Sequence, residues 1–254
     1  MISIAIATFN SAKTLERTLQ SIRKQTYPQE KIEVMVIDGG STDQTINIAK
    51  KYKCRIIPNS KTDLIYAKHI GFLKARGQYL MYLDSDEVLE NRNSLKIKLS
   101  AFKKDVRVRA VMLSGYKTPK EFSDINYYSN EFGEPFSFFI YRESKGDGFL
   151  FRSWSEKYNK VYDDKKYAIF DFYNTNPLPI VELWAGGCMI DLKYARSTFP
   201  QVKKNPALLA HLFYLLNQKN WFLAITKKDP TIHYSSETFK KYLGKALDRD
   251  FLFD

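Results

Sequence analysis

Residues 79–87 read Tyr-Leu-Met-Tyr-Leu-Asp-Ser-Asp-Glu, an apolar and aromatic run that ends abruptly on acids. A short continuous apolar segment closed by polar residues is the pattern of a strand buried on both faces. Two similar runs lie upstream: Ile2 to Ala7 stops at Thr8-Phe9-Asn10-Ser11, and Ile32 to Ile37 stops at Asp38-Gly39-Gly40-Ser41. Between them, Leu15, Leu19 and Ile22 form one apolar helix face and leave Lys13, Glu16, Arg17, Arg23 and Lys24 for solvent. Ser41 is expected to cap the next helix. Cys54 to Ile57 reads as another short strand, and Tyr66 to Arg76 as a helix closed by Gly77. Strands alternating with helices in this way predict an α/β chain with a mostly parallel central sheet flanked by helices. Ligands of such sheets bind beyond the carboxyl ends of the strands. Thr8 to Asn10, Asp38 to Asp43 and Asp84 to Asp86 all fall at such ends, so three strands are expected to deliver polar residues to one edge.

The chain has 254 residues, 44% of them hydrophobic, enough for one large α/β domain or two small ones and too many for a disordered chain. Its 40 Lys and Arg against 28 Asp and Glu give a net charge of +12, which favours an anionic partner. Of that excess, residues 1–116 carry 20 basic and 11 acidic residues, or +9, so the field belongs mainly to the half with the three polar strand ends. A spanning helix needs roughly 18 to 20 apolar residues. The longest apolar candidate, Ala207 to Thr226, is interrupted by His211, Asn217, Gln218, Lys219 and Asn220. The first ten residues read as a strand rather than a signal peptide. Cys54 and Cys188 have no CxxC partner, which argues against a disulfide framework and a structural zinc. A cytoplasmic location is the expectation from these features.

Composition changes after residue 116. Between Phe122 and Tyr173, 17 of 52 residues are aromatic, against 9 in residues 1–116, which divides the chain into a 1–116 half and a 117–254 half. Such aromatics stack on sugar rings, line a lipid groove, or pack an irregular core. Pro179 to Leu192 reads as an apolar strand interrupted by Gly186 and Gly187. Leu208, Leu209, Leu212, Leu215 and Leu216 read as a buried helix face, and Trp221 to Ile225 as a strand. Ser236 to Leu247 reads as an amphipathic helix whose Phe239, Tyr242, Leu243 and Leu247, with Lys240, Lys241 and Lys245, suit either packing or peripheral attachment to a membrane.

Asp84-Ser85-Asp86 places two carboxylates just beyond a buried strand. Hard cations such as Mg2+ or Mn2+ take oxygen ligands and are commonly completed by substrate phosphates, so the pair suits neutralisation of a diphosphate leaving group. An acidic loop at a helix start is the plainer reading. Asp38 is placed to accept hydrogen bonds from a base or ribose, or to shape its own turn. Thr8, Phe9 and Asn10 can present an edge to a nucleobase, and Lys68 can reach a phosphate.

SIAIATFNSAKTLERTLQSIRKQTYP, IEVMVIDGGSTDQT and ARGQYLMYLDSDE, at their spacing, resemble the family 2 glycosyltransferases with the GT-A fold. WAGGCMI and DPTIHYS are weaker matches. The resemblance implies a Rossmann-like half, 1–116, that binds a nucleotide-sugar, UDP- or GDP-linked, and an aromatic-rich acceptor half, 117–254, of one GT-A domain. It implies that Thr8, Asn10 and Asp38 contact the nucleoside, that Asp84, Ser85 and Asp86 hold the metal and diphosphate, and that His233 adds a metal contact. The acceptor implied is a saccharide or a lipid-linked sugar.

One departure concerns the chemistry. Many members carry an acid at the start of the helix before the final histidine, where it deprotonates the acceptor hydroxyl. Here that region reads Val202-Lys203-Lys204-Asn205-Pro206-Ala207-Leu208, with no carboxylate, and the family's Arg-Asn pair before the metal motif reads Lys68-His69. His211 is either a substitute base or a packed residue on that Leu-rich helix, and Glu182, Asp191 and Asp147 are the carboxylates near other plausible site segments. Two further readings are a degenerate nucleotide-sugar-binding module and a nucleotidyltransferase. The latter is disfavoured because ATFNSAKTLER lacks the glycines of a phosphate loop. Nucleic-acid binding has only charge in its favour.

Overall fold

The computed structural model describes residues 1–132, 144–179, 181–235 and 238–240. Strand β1 (Ile2–Thr8) is buried almost throughout, and its two sides feed separate cores. Ile2, Ile4 and Ile6 face Leu15, Leu19 and Ile22 of helix α1 (Leu15–Arg23), each at most 2% exposed. Each such side chain contributes about 1.5–3 kcal/mol of burial. Ala5 faces the opposite core, where helix α3 packs.

Strand β2 (Ile32–Asp38), helix α2 (Thr45–Lys51), strand β3 (Arg55–Pro58), helix α3 (Leu64–Lys74) and strand β4 (Tyr79–Asp84) complete the first layer. A Cβ on Gly71 would come within 2.8 Å of the Ala5 Cβ, so the glycine permits the close seat of α3 on β1. Then follow β5 (Glu87–Leu89), α4 (Ser94–Lys104), β6 (Val108–Met112), β7 (Tyr116–Lys117) and α5 (Asp124–Phe132). Beyond them lie α6 (Phe149–Lys157), β8 (Asn159–Asp163), β9 (Tyr167–Asp171), β10 (Met189–Asp191) and α7 (Leu192–Thr198). Last come α8 (Ala207–Ala210), α9 (Leu212–Asn217), β11 (Phe222–Thr226) and β12 (Thr231–His233).

The main sheet has the order β3-β2-β1-β4-β10-β6-β11-β9-β8. All its strands run the same way except β10 and β9, the pattern of a mostly parallel sheet flanked by helices. It contains strands from both the 1–116 and the 117–254 segments. A second sheet, β5-β12-β7, lies beyond β4 and carries the end of the acidic motif.

Several sequence expectations shift on folding. Ser41 does not cap α2; its hydroxyl donates to Asp38, and the Asp43 carboxylate receives the Thr45 N–H instead. Helix α3 starts earlier than expected, because Asp63 caps it through the Tyr66 N–H, and it ends at Ala75 in an extended conformation. Gly77 therefore serves β4 rather than the helix, donating its N–H to Ser3 Oγ. The third strand runs one residue later than expected, from Arg55. The apolar stretch around Gly186 and Gly187 is a strand only over Met189–Asp191; before it, Gly187 at φ +77° makes a turn held by its N–H to the Tyr82 carbonyl. The Leu-rich helix breaks at His211, with Leu209, Leu212 and Leu216 buried and Leu208 and Leu215 partly so.

The described aromatics of the second half mostly build core. Trp154 is fully buried and meets Phe170 and Phe172 edge-on, and Phe172 meets Phe213 in the same way. Phe136, Phe138, Phe139 and Tyr141, and most of the expected helix Ser236 to Leu247, lie outside the described residues. Among the described residues no helix is long and apolar enough to cross a membrane.

Candidate active site

Strand register assembles the site. Thr8 pairs with Asp38, and Ala7 with Asp84, so the ends of β1, β2 and β4 lie level at one edge. At the first two ends a hydrogen-bonded loop pair forms. Asp38, 7% exposed, accepts Thr8 Oγ1–H at 3.0 Å and Ser41 Oγ–H at 2.6 Å on one oxygen, and the Gly40 and Ser41 N–H groups on the other. Its carboxylate thus fixes the loop that follows β2. Asn10, at φ +48°, joins the two loops by donating its N–H to Ser41 Oγ and accepting the Thr42 N–H. Phe9 is 56% exposed between them, and the loops together form a pre-shaped, solvent-open edge.

At the third end, Asp84 and Asp86 take different partners. Asp84 Oδ1 lies 3.1 Å from the ammonium of Lys68, whose Nζ also donates to the Trp184 carbonyl at 2.9 Å. Lys68 is buried, so it is a fixed counter-charge to Asp84 and not a mobile arm toward a phosphate. Burial opposes its charge, but Asp84 and Glu87 outweigh that and hold the ammonium above its ordinary range. Asp86 Oδ1 faces His233 Nε2 at 3.7 Å. That pairing exists because β12 lies antiparallel to β5, with His233 opposite Glu87. Ser85 donates to Ser11 Oγ and accepts from Thr18 through its carbonyl, which ties the acidic turn to the first loop and to α1.

Beneath the acidic turn sits Glu87, 1% exposed, accepting the Asp84 N–H at 2.9 Å. Burial raises its carboxyl well above the ordinary range, and Asp84 pushes the same way. The Tyr116 hydroxyl is likewise raised, first by burial and then by Glu87 and Asp84; it also donates to the Gly186 carbonyl. Neither residue stands out in the sequence. The acid directly after Asp-Ser-Asp was the available signal for Glu87; nothing local marks Tyr116, which fold contacts alone bring there.

The other expected residues scatter. Glu182 is exposed in the turn before Gly186, close enough for its charge to act on Lys68. Asp147 accepts Ser114 Oγ–H beside β7. Asp191 lies at the far edge, because β10 runs backwards and pairs it with Tyr79 at the start of β4; there it binds Arg109 and caps α7. His211 is exposed at the break between α8 and α9, its ring toward Tyr214. At the start of α8, Asn205 Oδ1 accepts the Ala207 N–H, and no carboxylate stands there.

No group of three or more His, Cys, Asp or Glu side chains among the described residues is gathered closely enough to hold a metal alone. Asp86 and His233 offer one oxygen and one nitrogen, which fits a hard divalent ion that takes its remaining ligands from substrate phosphates and water.

The sequence model described as Glycosyl transferase family 2 matches residues 3–167. Poly(ribitol-phosphate) beta-N-acetylglucosaminyltransferase TarS of Staphylococcus aureus is 31% identical over 102 residues, 37% of this chain and 17% of TarS. Glycosyltransferase GlyG of Streptococcus pneumoniae is 28% identical over 142 residues, 54% of this chain and 45% of GlyG. The matched part thus spans less than half the length of either relative. Among solved structures, mannosyltransferase PcManGT from Pyrobaculum calidifontis in complex with GDP-Man and Mn2+ superposes with a TM-score of 0.60 at 14% identity, covering 97% of this chain and 64% of that one. S. aureus TarS 1-349 in complex with UDP gives 0.58 at 17%, covering 91% and 59%. At these identities the superpositions speak to the fold.

Proposed function

Because the chain belongs to glycosyl transferase family 2, we propose that it transfers a sugar from a UDP- or GDP-sugar to an acceptor hydroxyl at the edge shared by β1, β2 and β4. The observation that carries this reading is the register that levels Thr8, Asp38 and Asp84, with Asp86 facing His233 beside them. Thr8, Phe9, Asn10 and Asp38 form the nucleoside wall, with Asp38 acting mainly by holding the loop in shape. Ser85 and Asp84, the latter balanced by Lys68, line the diphosphate side. Asp86 and His233 would hold Mn2+ or Mg2+, which when bound supplies positive charge against the departing diphosphate.

The proton balance needs a base: as the acceptor oxygen bonds the anomeric carbon and the bond to the diphosphate breaks, the hydroxyl proton must leave. Glu182 is our choice, being an exposed carboxylate whose charge is felt at Lys68. His211, on a separate helical break, is the weaker candidate. The acceptor we expect is a saccharide or a lipid-linked sugar, the latter reached from a peripheral position on the cytoplasmic membrane face. Asn205 at the start of α8, in place of an acid, favours a second reading, a donor-binding module without turnover.

Calorimetric titration of UDP and GDP with and without Mn2+ tests the first reading. Metal-dependent binding lost in Asp86→Ala is expected; equal binding with and without metal overturns the metal assignment. Glu182→Gln should keep nucleotide binding and lose transfer, whereas a wild-type protein that binds but never turns over supports the module.

A further inference from the structure

We propose that Glu87 is a positioning residue that locks the acidic turn Asp84–Asp86 to the turn Trp184–Gly187, so that the metal-side acid and Glu182 keep a fixed separation. The inference rests on the transferase reading for its catalytic consequence, but the lock itself is read from contacts.

Three side chains, those of Glu87, Tyr116 and Lys68, meet where the two turns join. Glu87 Oε2 accepts the Asp84 N–H at 2.9 Å, and an added Cβ on Gly186 would lie 1.6 Å from that same oxygen. The Gly186 backbone therefore rests directly on the carboxyl, and no larger residue fits there without moving one of the turns. The Tyr116 hydroxyl spans the same junction, reaching the Gly186 carbonyl at 3.4 Å. Lys68 closes it from the other side, touching Asp84 and the Trp184 carbonyl. Leucine would fill this buried space without desolvating a carboxyl, and desolvation without partners is costly. What the carboxyl adds is an acceptor for the turn that carries Asp84 and a seat for the turn that follows Glu182.

Glu87→Gln keeps shape and acceptor oxygen and should behave as the wild type. Glu87→Leu keeps bulk and removes the acceptor, and Gly186→Ala displaces the seat from the other side. A displacement near 1 Å costs on the order of 100-fold in rate. Both variants should therefore lose about that much in kcat for hydrolysis of UDP-GlcNAc or GDP-mannose, while UDP and GDP affinities measured without metal, set by the loops around Asp38 and Asn10, stay within roughly threefold. The double variant should be little worse than either single one, because both release the same lock.

A second readout is independent of activity. Cys188, fully buried, follows Gly187 directly. Its alkylation by iodoacetamide should rise at least about tenfold in Glu87→Leu and Gly186→Ala, under conditions where both are folded, as local opening would allow. Unchanged Cys188 labelling in both folded variants overturns the lock whatever the activity. A wild type that binds neither nucleotide overturns the transferase reading alone, since the labelling result stands apart. Wild-type kcat in Glu87→Leu, or kcat and metal-free nucleotide affinity falling together, overturns the positioning role.

Discussion

His233 Nε2 stands 3.7 Å from Asp86 Oδ1, brought there from the far end of the described chain by the short pairing of β12 with β5. The pairing sets His233 opposite Glu87, one residue beyond the acid that it faces. Backbone pairing, not sequence proximity, thus decides which acid the imidazole meets.

Replacing His233 with Ala should weaken Mn2+-dependent binding of UDP or GDP about tenfold, roughly 1.4 kcal/mol. Nucleotide affinity without metal should hold, because the loops around Asp38 and Asn10 form without the imidazole. Calorimetry with and without chelator separates the two components; an equal loss in both would mean that His233 acts on the fold instead.

Lys98 and Asp229 form an ion pair at 2.5 Å with both side chains 1% exposed, joined by Ser94 Oγ–H. The Asp229 N–H also donates to Ser114 Oγ, just before β12 begins. Removing one partner leaves an uncompensated buried charge, which costs about 3–5 kcal/mol. Lys98→Met should lose stability of that order in urea denaturation, and Lys98→Met with Asp229→Leu should recover most of it. A double variant as unstable as the single one would show that the turn before β12 needs the carboxylate itself.

Glu33 gives the fold an acid-sensitive joint. Its carboxyl is mostly withdrawn from water, which raises its pKa, but hydrogen bonds from Ser3, the Arg76 N–H and Arg55 outweigh this and leave it below the ordinary range. A depressed folded pKa contributes stability that is complete above the unfolded value, about 4.3, and is lost as pH falls through the folded value. Melting temperature should therefore drop on acidification below about pH 4.3, and Glu33→Gln should flatten that part of the profile while lowering stability at neutral pH. Parallel acid profiles for the two proteins would remove Glu33 from the acid response.

The legible part of this molecule was its first layer. Ile2 to Ala7, Ile32 to Ile37 and Tyr79 to Leu83 each announce a two-sided buried strand, and parallel pairing of such strands places their polar ends together almost without choice. The reversed strand Met189–Asp191 was not legible in direction, since an apolar run carries no sign of which way it will pair; that is why Asp191 lands at the wrong edge for chemistry. Lys68 reads from sequence as an arm able to reach a phosphate, because a lysine on a helix usually extends into solvent. Its burial follows from Asp84 and the Trp184 carbonyl, contacts between elements far apart in the chain. Glu87 was hidden for the same reason: the sequence shows an acid, and only the fold shows a glycine resting on it.

Of the two thiols, Cys188 reports on that same region and Cys54, between α2 and β3, serves as the reference. Burial pushes Cys54 up to about 11, with Arg23 acting weakly the other way, and pushes Cys188 up to about 12, with Lys98 opposing. Against an ordinary value of 9.0, the thiolate of Cys54 at pH 8 is about 100-fold scarcer and that of Cys188 scarcer still, and only the thiolate is alkylated. Native protein should therefore take up iodoacetamide at Cys54 slowly and at Cys188 more slowly again, while protein in denaturant labels at both within minutes. The order matters more than the absolute rates. Cys188 sits between the Gly187 turn and β10, its carbonyl accepting the Tyr82 N–H, so that it becomes reachable only when the turn lifts from β4. Peptide-resolved mass spectrometry that found Cys188 labelled faster than Cys54 in the native protein would mean that this turn opens readily, and that the wall it forms beside Lys68 is not a fixed surface.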